Sequence, residues 1–258
     1  MTWVGATPPP LVVALDVPSL DGAARLLDRL RPAVQWFKVG SVLFTVAGPD
    51  AVRMVHAAGG TVVLDLKFHD IPQTVAGAVA AAAELGVALL TVHCAAGPRA
   101  LEAAARAAQR SPHLRVLGVT RLTSAPGRGG VVRAARTALA AGLHGVTAAA
   151  SEVRAVKRAC GPQFLVLTPG VRPAGVDAGD QVRIATPHAA VRAGSDFLVV
   201  GRPIAGANDP LAAARAIQRE IAAAWEGRAR RAGDGGAALD ASGRPRALGG
   251  SAWPPDAR

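Results

Sequence analysis

Aspartate and lysine alternate in the stretch Leu64-Asp65-Leu66-Lys67-Phe68-His69-Asp70. Side chains two apart on a strand share a face, so Asp65 and Lys67 are expected to point together into whatever that face encloses. Leu64, Leu66 and Phe68 then pack on the other side. An ion pair on the inner face of an apolar strand is costly to desolvate unless it is compensated, and the alternative to a functional role is a salt bridge that closes the barrel. Lys38, at the end of an earlier apolar run, and Asp70 exceed what closure needs. Opposite charges packed in turn suit the stabilisation of charge that develops during a reaction. Thr74, in the first turn of the next helix, reads as either a capping group or a substrate contact.

A second set of residues suits an anion. TPGVRP (Thr168–Pro173) and VVGRPI (Val199–Ile204) each place a glycine beside an arginine. Glycine lets backbone N–H groups approach an oxyanion, and the guanidinium fork adds charge-assisted hydrogen bonds. One such turn is an ordinary surface loop. Two of them, Gly170 with Arg172 and Gly201 with Arg202, follow successive apolar runs and favour a phosphorylated ligand.

Stepping through the chain, β-branched runs alternate with alanine-rich helical stretches. Strands are expected at Leu11–Asp16, Gln35–Val39, Thr61–Lys67, Ala88–His93, Leu114–Thr120, His144–Ala148, Phe164–Thr168 and Asp196–Val200. Helices are expected at Ser19–Leu30, Ser41–Ala58, Pro72–Leu85, Pro98–Arg110, Val131–Ala141, Ser151–Ala159, Pro187–Ala193 and Asp209–Ala224, with Ser19 and Ser151 as N-caps. Eight strand–helix pairs predict an α/β fold of the (β/α)8, or TIM, barrel type in a single domain, residues 11–225. A doubly wound sheet is disfavoured because Asp16 stands where a glycine-rich dinucleotide turn is required. In such a barrel the chemistry sits at the C-terminal ends of the strands. Asp16, Lys38, Asp65, Lys67, His93, Thr123, Ser124, Arg172 and Arg202 all fall there, and two lysines and three aspartates are expected at one mouth. Residues 1–10 read as a loose lead-in. Residues 226–258, rich in Gly, Pro and Arg without periodicity, read as a disordered tail.

Composition narrows the function. Half of the 258 residues are hydrophobic, which excludes a wholly disordered protein. Twenty-nine Lys and Arg against 18 Asp and Glu give a net charge of +11, yet aromatics make up only 3% and no basic–aromatic cluster suits nucleic acid. Two cysteines, Cys94 and Cys160, exclude a disulfide scaffold and read as packed thiols. No apolar stretch is long enough to cross a bilayer, and MTWVGATPPP lacks the charged and apolar regions of a secretory signal. The expectation is a soluble cytoplasmic protein that binds neither membrane nor nucleic acid. His69 and His93 lie near aspartates, but two lysines would repel a divalent cation, so no metal is expected.

Taken together, these motifs resemble orotidine 5′-phosphate decarboxylases of the bacterial type. The resemblance runs from VVALDVPS (Val12–Ser19) through FKVG (Phe37–Gly40), FTVAGP (Phe44–Pro49), LDLKFHDIPQT (Leu64–Thr74), TVH (Thr91–His93) and LTS (Leu122–Ser124). It continues through TPGVRP, GDQVRIATP (Gly179–Pro187), AGSDFLVVGRPI (Ala193–Ile204) and NDP (Asn208–Pro210). It implies removal of the C6 carboxylate of orotidine 5′-phosphate to give UMP, the last step of de novo UMP synthesis, without metal or organic cofactor. It also implies that Lys67 stabilises and protonates C6, that Asp65 faces the substrate carboxylate, and that Lys38 and Asp70 complete an alternating array. Asp16 and Lys38 would bind the ribose, Thr123 and Ser124 would lie over the pyrimidine, and Arg172, Gln181, Gly201 and Arg202 would hold the phosphate. In a homodimer, Asp70 and Thr74 would complete the neighbouring subunit's site. The sequence departs from the family in its short segment APGRGG (Ala125–Gly130) after Ser124 and in VTAAASE (Val146–Glu152) after the sixth strand. A related reading, a magnesium-dependent sugar-phosphate lyase, wants an acidic ligand near the end of the second strand, where Lys38 stands.

Overall fold

Largely apolar segments of three to eight residues form eight parallel strands that close on themselves. The structure is a computed structural model and describes residues 7–124, 129–174 and 183–234, with side chains to Arg228. Its strands are β1 (Leu11–Ala14), β2 (Trp36–Gly40), β3 (Thr61–Phe68), β4 (Leu89–His93), β5 (Arg115–Val119), β6 (Gly145–Thr147), β7 (Leu165–Thr168) and β8 (Phe197–Val200). Each pairs with its neighbours in sequence, and β8 returns to β1, which makes the expected (β/α)8 barrel. The helices are α1 (Leu20–Leu30), α2 (Ser41–Ala47), α3 (Asp50–Ala57), α4 (Pro72–Glu84), α5 (Pro98–Ala108), α6 (Val131–Ala140), α7 (Ala150–Cys160), α8 (Pro187–Ala193), α9 (Arg202–Ala205) and α10 (Pro210–Asp234). Among the described residues no helix is long and apolar enough to cross a membrane.

Two cores follow from the two faces of each strand. Val13, Phe37, Val39, Val62, Leu64, Leu90 and Val116 point outward and pack with the apolar stripes of the helices. Val12, Ala14, Val63, Leu89, Leu117, Leu165, Leu167, Phe197 and Val199 fill the barrel, with Trp36 packed on Phe197 at a ring separation of 5.2 Å. The inward positions change character along the strands. Apolar at the N-terminal end, they become Asp16, Lys38, Asp65, Thr91 and Thr147 toward the C-terminal end.

Local signals account for most helix ends and for three departures. Ser19 caps α1 as expected, its hydroxyl accepting from the Gly22 N–H at 3.1 Å. The helix expected over 41–58 is instead two, α2 and α3, parted at Gly48 (φ 55°) and Pro49. Proline lacks the N–H that would continue the ladder, and its ring clashes with the preceding turn. Ser151 is not the cap of α7; the cap position is Ala149, and Glu152 reaches back to accept from its N–H at 3.0 Å. The last helix passes the expected barrel boundary at 225 and continues to Asp234. Ile217, Ile221 and Ala224 anchor its buried stripe, and the Ala, Arg and Glu that follow are strong helix formers. Residues 235–258, expected as tail, lie outside the described residues.

Candidate active site

The charges of the mouth form one connected chain. The two carboxylate oxygens of Asp16, just past β1, accept from Lys38 Nζ on β2 at 2.9 and 3.2 Å. The same Nζ stands 3.7 Å from Asp65 Oδ2 on β3, which accepts from Lys67 Nζ at 2.9 Å. Register puts them there: Ala14 lies beside Lys38, and Gly40 beside Asp65. Gly40 has a steric task as well. A Cβ on it would come within 2.7 Å of both Asp16 Oδ1 and Lys38 Nζ, so any side chain would part the pair.

Asp65 and Lys67 meet, but not through plain strand alternation. Phe68 lies four residues on from Leu64, whereas its partner Val92 lies two on from Leu90, so β3 bulges across Asp65–Lys67. Within the bulge Lys67 has φ 52°, the sole non-glycine residue with positive φ among those described. Bulges re-aim side chains, and the left-handed backbone here turns the lysine over the aspartate. Thr91 on β4 secures both. Its fully buried hydroxyl donates to Asp65 Oδ1 at 2.8 Å and accepts from the Lys67 N–H at 3.0 Å. Sequence reasoning missed Thr91. A hydroxyl in the apolar run LLTVH, on the same face as His93, was the available signal.

The electrostatics follow from this arrangement. Burial pushes the Asp65 carboxyl up, but Lys38, Lys67 and the hydrogen bonds from Lys67 and Thr91 outweigh it and hold the group below its ordinary value. Lys38 and Asp65 keep 10% and 14% of their side chains exposed, against 37% for Lys67 and 48% for Asp16. The inner two are thus the more buried members of the chain and the outer two the more exposed, while all four line the cavity. His93 stacks on His69 at 5.3 Å. Burial, then His69 and Lys67, press its imidazole below the usual range, and its Nδ1 accepts from the Ala95 N–H at 3.1 Å. Among the described residues no group of three or more His, Cys, Asp and Glu is placed to hold a metal ion. Burial lifts the Cys94 thiol to about 12, which leaves it unreactive at neutral pH.

These four charges line one side of a cavity of about 410 Å³. Thr123, Ser124, Gly170, Arg172, Gly201 and Arg202, all expected at the site, line it too, as do Arg121 and Thr147, which sequence reasoning did not single out. Gly170 adopts φ 72°, a conformation that favours glycine, in the turn that leads to Arg172. Gln181 lies outside the described residues, as does most of the short segment after Ser124. Asp70 and Thr74 do not line the cavity of their own chain. Both are exposed, and the Asp70 carboxylate accepts from the Ile71 N–H at 2.6 Å. Within one chain the array therefore starts at Asp16 and brings together two lysines and two aspartates, not three. Asp70 sits beyond the end of β3, where the chain has already turned toward α4.

Such a cavity offers a rigid, alternating charge surface at one end and a pair of glycine–arginine turns at the other. Comparisons with known proteins identify relatives of the whole barrel. Residues 9–217 match the model of the "Orotidine 5′-phosphate decarboxylase / HUMPS family". The chain is 50% identical over 230 residues to orotidine 5′-phosphate decarboxylase of Moorella thermoacetica, covering 82% of this chain and 91% of that protein. It is 52% identical over 230 residues to the enzyme of the same name from Halorhodospira halophila, covering 84% and 98%. Among solved structures, orotidine 5′-phosphate decarboxylase from Lactobacillus acidophilus superposes with a TM-score of 0.73 at 34% identity, over 83% of this chain and 99% of that one.

Proposed function

The chain belongs to the orotidine 5′-phosphate decarboxylase / HUMPS family, and from that premise we propose that it converts orotidine 5′-phosphate to UMP and CO2, with Lys67 as the proton donor and no metal or organic cofactor. The observation that carries the proposal is the Asp16–Lys38–Asp65–Lys67 chain facing a cavity that also holds Arg172 and Arg202.

In the proposed reaction the bond from C6 to the carboxylate breaks, CO2 leaves, and the electron pair stays on C6. No adjacent carbonyl can absorb that charge, so fixed protein charges must stabilise it. Lys67 Nζ would supply that charge, then transfer a proton to C6 and regain one from solvent. Asp65 would face the departing carboxylate. The repulsion between them accounts for a minor part of the ~8–23 kcal/mol that enzymes generally remove from a barrier. Asp16 and Lys38 would hold the ribose hydroxyls, and Thr123 with Ser124 the pyrimidine. Gly201, Arg202, Arg172 and Gln181 would bind the phosphate, whose remote binding energy positions the reacting end.

Asp70 and Thr74 belong to this reading as gifts to a partner subunit in a homodimer. Their exposure, and their distance in role from their own cavity, support it, as does the neighbouring Ile71, an apolar side chain 65% exposed. The pattern of Lys38 paired with Asp16 speaks against the magnesium-dependent lyase, which would want an acid at that position.

The test is turnover of orotidine 5′-phosphate, followed by absorbance, with and without EDTA. Metal-independent turnover is expected; no turnover, or chelator-sensitive cleavage of a sugar phosphate, overturns the reading. Mixing inactive Asp70→Ala and Lys67→Ala protomers should restore part of the activity. Confirmed mixed dimers that stay inactive would show the sites to be self-contained.

A further inference from the structure

A second buried ion pair lies behind the cavity wall. Glu152, in the first turn of α7, and Arg183, ahead of α8, keep 5% and 8% of their side chains exposed. Both carboxylate oxygens are committed: Oε1 accepts from Arg183 Nη1, and Oε2 from the Ala149 N–H at 3.0 Å. Arg183 Nη2 points elsewhere. It donates to the Leu122 carbonyl at 2.7 Å, with the Arg121 carbonyl at 3.4 Å. Those carbonyls belong to the backbone that leads from β5 into Thr123 and Ser124, one wall of the cavity.

The other end of the same segment is tied to the opposite wall. Two residues after Arg183, the Ala185 carbonyl accepts from the Arg172 N–H at 2.9 Å, and the Ala185 N–H donates to the Gly170 carbonyl at 3.2 Å. Gly170 and Arg172 line the cavity at its glycine–arginine end. One short stretch, residues 183–185, therefore fastens both walls. Capping α7 requires only Glu152, and a buried ion pair contributes little net stability over apolar packing. Neither need explains the arginine, whereas its hold on Leu122 does.

We infer that Glu152 and Arg183 are positioning residues, which fix the Thr123–Ser124 wall at a set separation from the Arg172 wall, so that one nucleotide spans both. Neither touches the reacting atoms; they act through the backbone of 121–124. The inference rests on the proposed function for its substrate, but not for its structural readout.

The test uses the paired variant Glu152→Gln/Arg183→Met, which removes both charges together and strands neither. Turnover of orotidine 5′-phosphate is measured at a temperature where circular dichroism shows parent and variant fully folded, and amide exchange is followed across 120–124. Expected are a fall in kcat/KM of about 30-fold, the scale of a sub-ångström misplacement, and exchange at Leu122–Ser124 faster by at least about tenfold. Strand amides should be unchanged. Arg183→Lys, which keeps a donor and a charge, should recover part of the loss. If the parent turns over substrate while the paired variant stays within about twofold of it, the inference fails. It fails equally if activity drops without faster exchange at 122–124, or if every amide speeds up together. A parent without turnover would instead sink the proposed function, and exchange alone would then decide the positioning role.

Discussion

The two ends of the barrel each bury an aspartate against a lysine, and the two aspartates are driven in opposite directions. At the mouth, Asp65 is 14% exposed and is held below its ordinary value. At the floor, Asp196, just ahead of β8, is 8% exposed, and burial raises it despite Lys157 Nζ at 2.6 Å and a hydrogen bond from the Val166 N–H. Burial is comparable, so the difference lies in the company. Asp65 has two lysines and a threonine hydroxyl, whereas Asp196 has one close lysine and a more remote arginine, Arg228. One counter-charge does not offset desolvation here, and two with a hydroxyl do. The floor even opens onto a larger cavity, about 530 Å³, lined by Arg154, Lys157, Arg158, Trp225 and Arg228. Arg154, Lys157 and Arg228 there are engaged with backbone carbonyls or with Asp196, so size alone does not mark the site of chemistry. The alternation of charge is what sets the proposed site apart.

The contrast breaks most visibly at Lys67. Lys67→Ala should lower kcat by at least about a thousandfold, since it removes the group proposed to stabilise the developing charge and to donate the proton. The thermal midpoint should move by only a few degrees, because Asp65 keeps Lys38 and Thr91. Retention of more than a tenth of the parent rate would remove Lys67 from the mechanism. At the floor the converse is expected. Lys157→Met should leave kcat within about twofold, yet destabilise the fold by about 3 kcal/mol at pH 7 by stranding Asp196. That cost should shrink as the pH falls and Asp196 takes up a proton. A urea titration at several pH values measures it, and a loss of activity in proportion to unfolding is no exception to the rule.

Acid sharpens the comparison with the smallest signal. Asp65, with a folded value below its unfolded one near 3.8, adds stability at higher pH that disappears as the pH falls through the folded value. Asp196 has a folded value above 3.8, so it opposes folding at neutral pH, and that penalty is relieved as the pH falls through the raised value. Asp65→Asn should therefore flatten the acid loss of stability, and Asp196→Asn should raise stability at neutral pH while removing the relief. Identical pH profiles for the two variants would refute the asymmetry.

Most of the fold was legible because the barrel strands are largely apolar runs and many helices carry a start or stop residue. Ser19, Pro72 and Pro187 mark helix starts where the structure has them. Legibility failed where tertiary context decides. Ser151 has the chemistry of a cap, but the helix starts one residue earlier at Ala150, and Glu152 reaches back to the N–H of Ala149 at the cap position. The Arg- and Ala-rich residues after Trp225 lack a repeating pattern, yet extend a helix already nucleated and anchored upstream. At the site, Asp16, Lys38, Asp65 and Lys67 were readable from strand position. Thr91, Glu152 and Arg183 were not, because their roles depend on partners 26, 31 and 61 positions away in the chain.

The left-handed backbone at Lys67 has a consequence for how such a protein is kept by selection. A lysine there costs about 1 kcal/mol that a glycine would not. A library of variants sorted for heat resistance alone would thus meet two opposed pressures at 67, relief of the backbone in a glycine and loss of the amine that sits against Asp65. If the amine is the proton donor proposed above, only screening for product, generation after generation, would keep it on that strand.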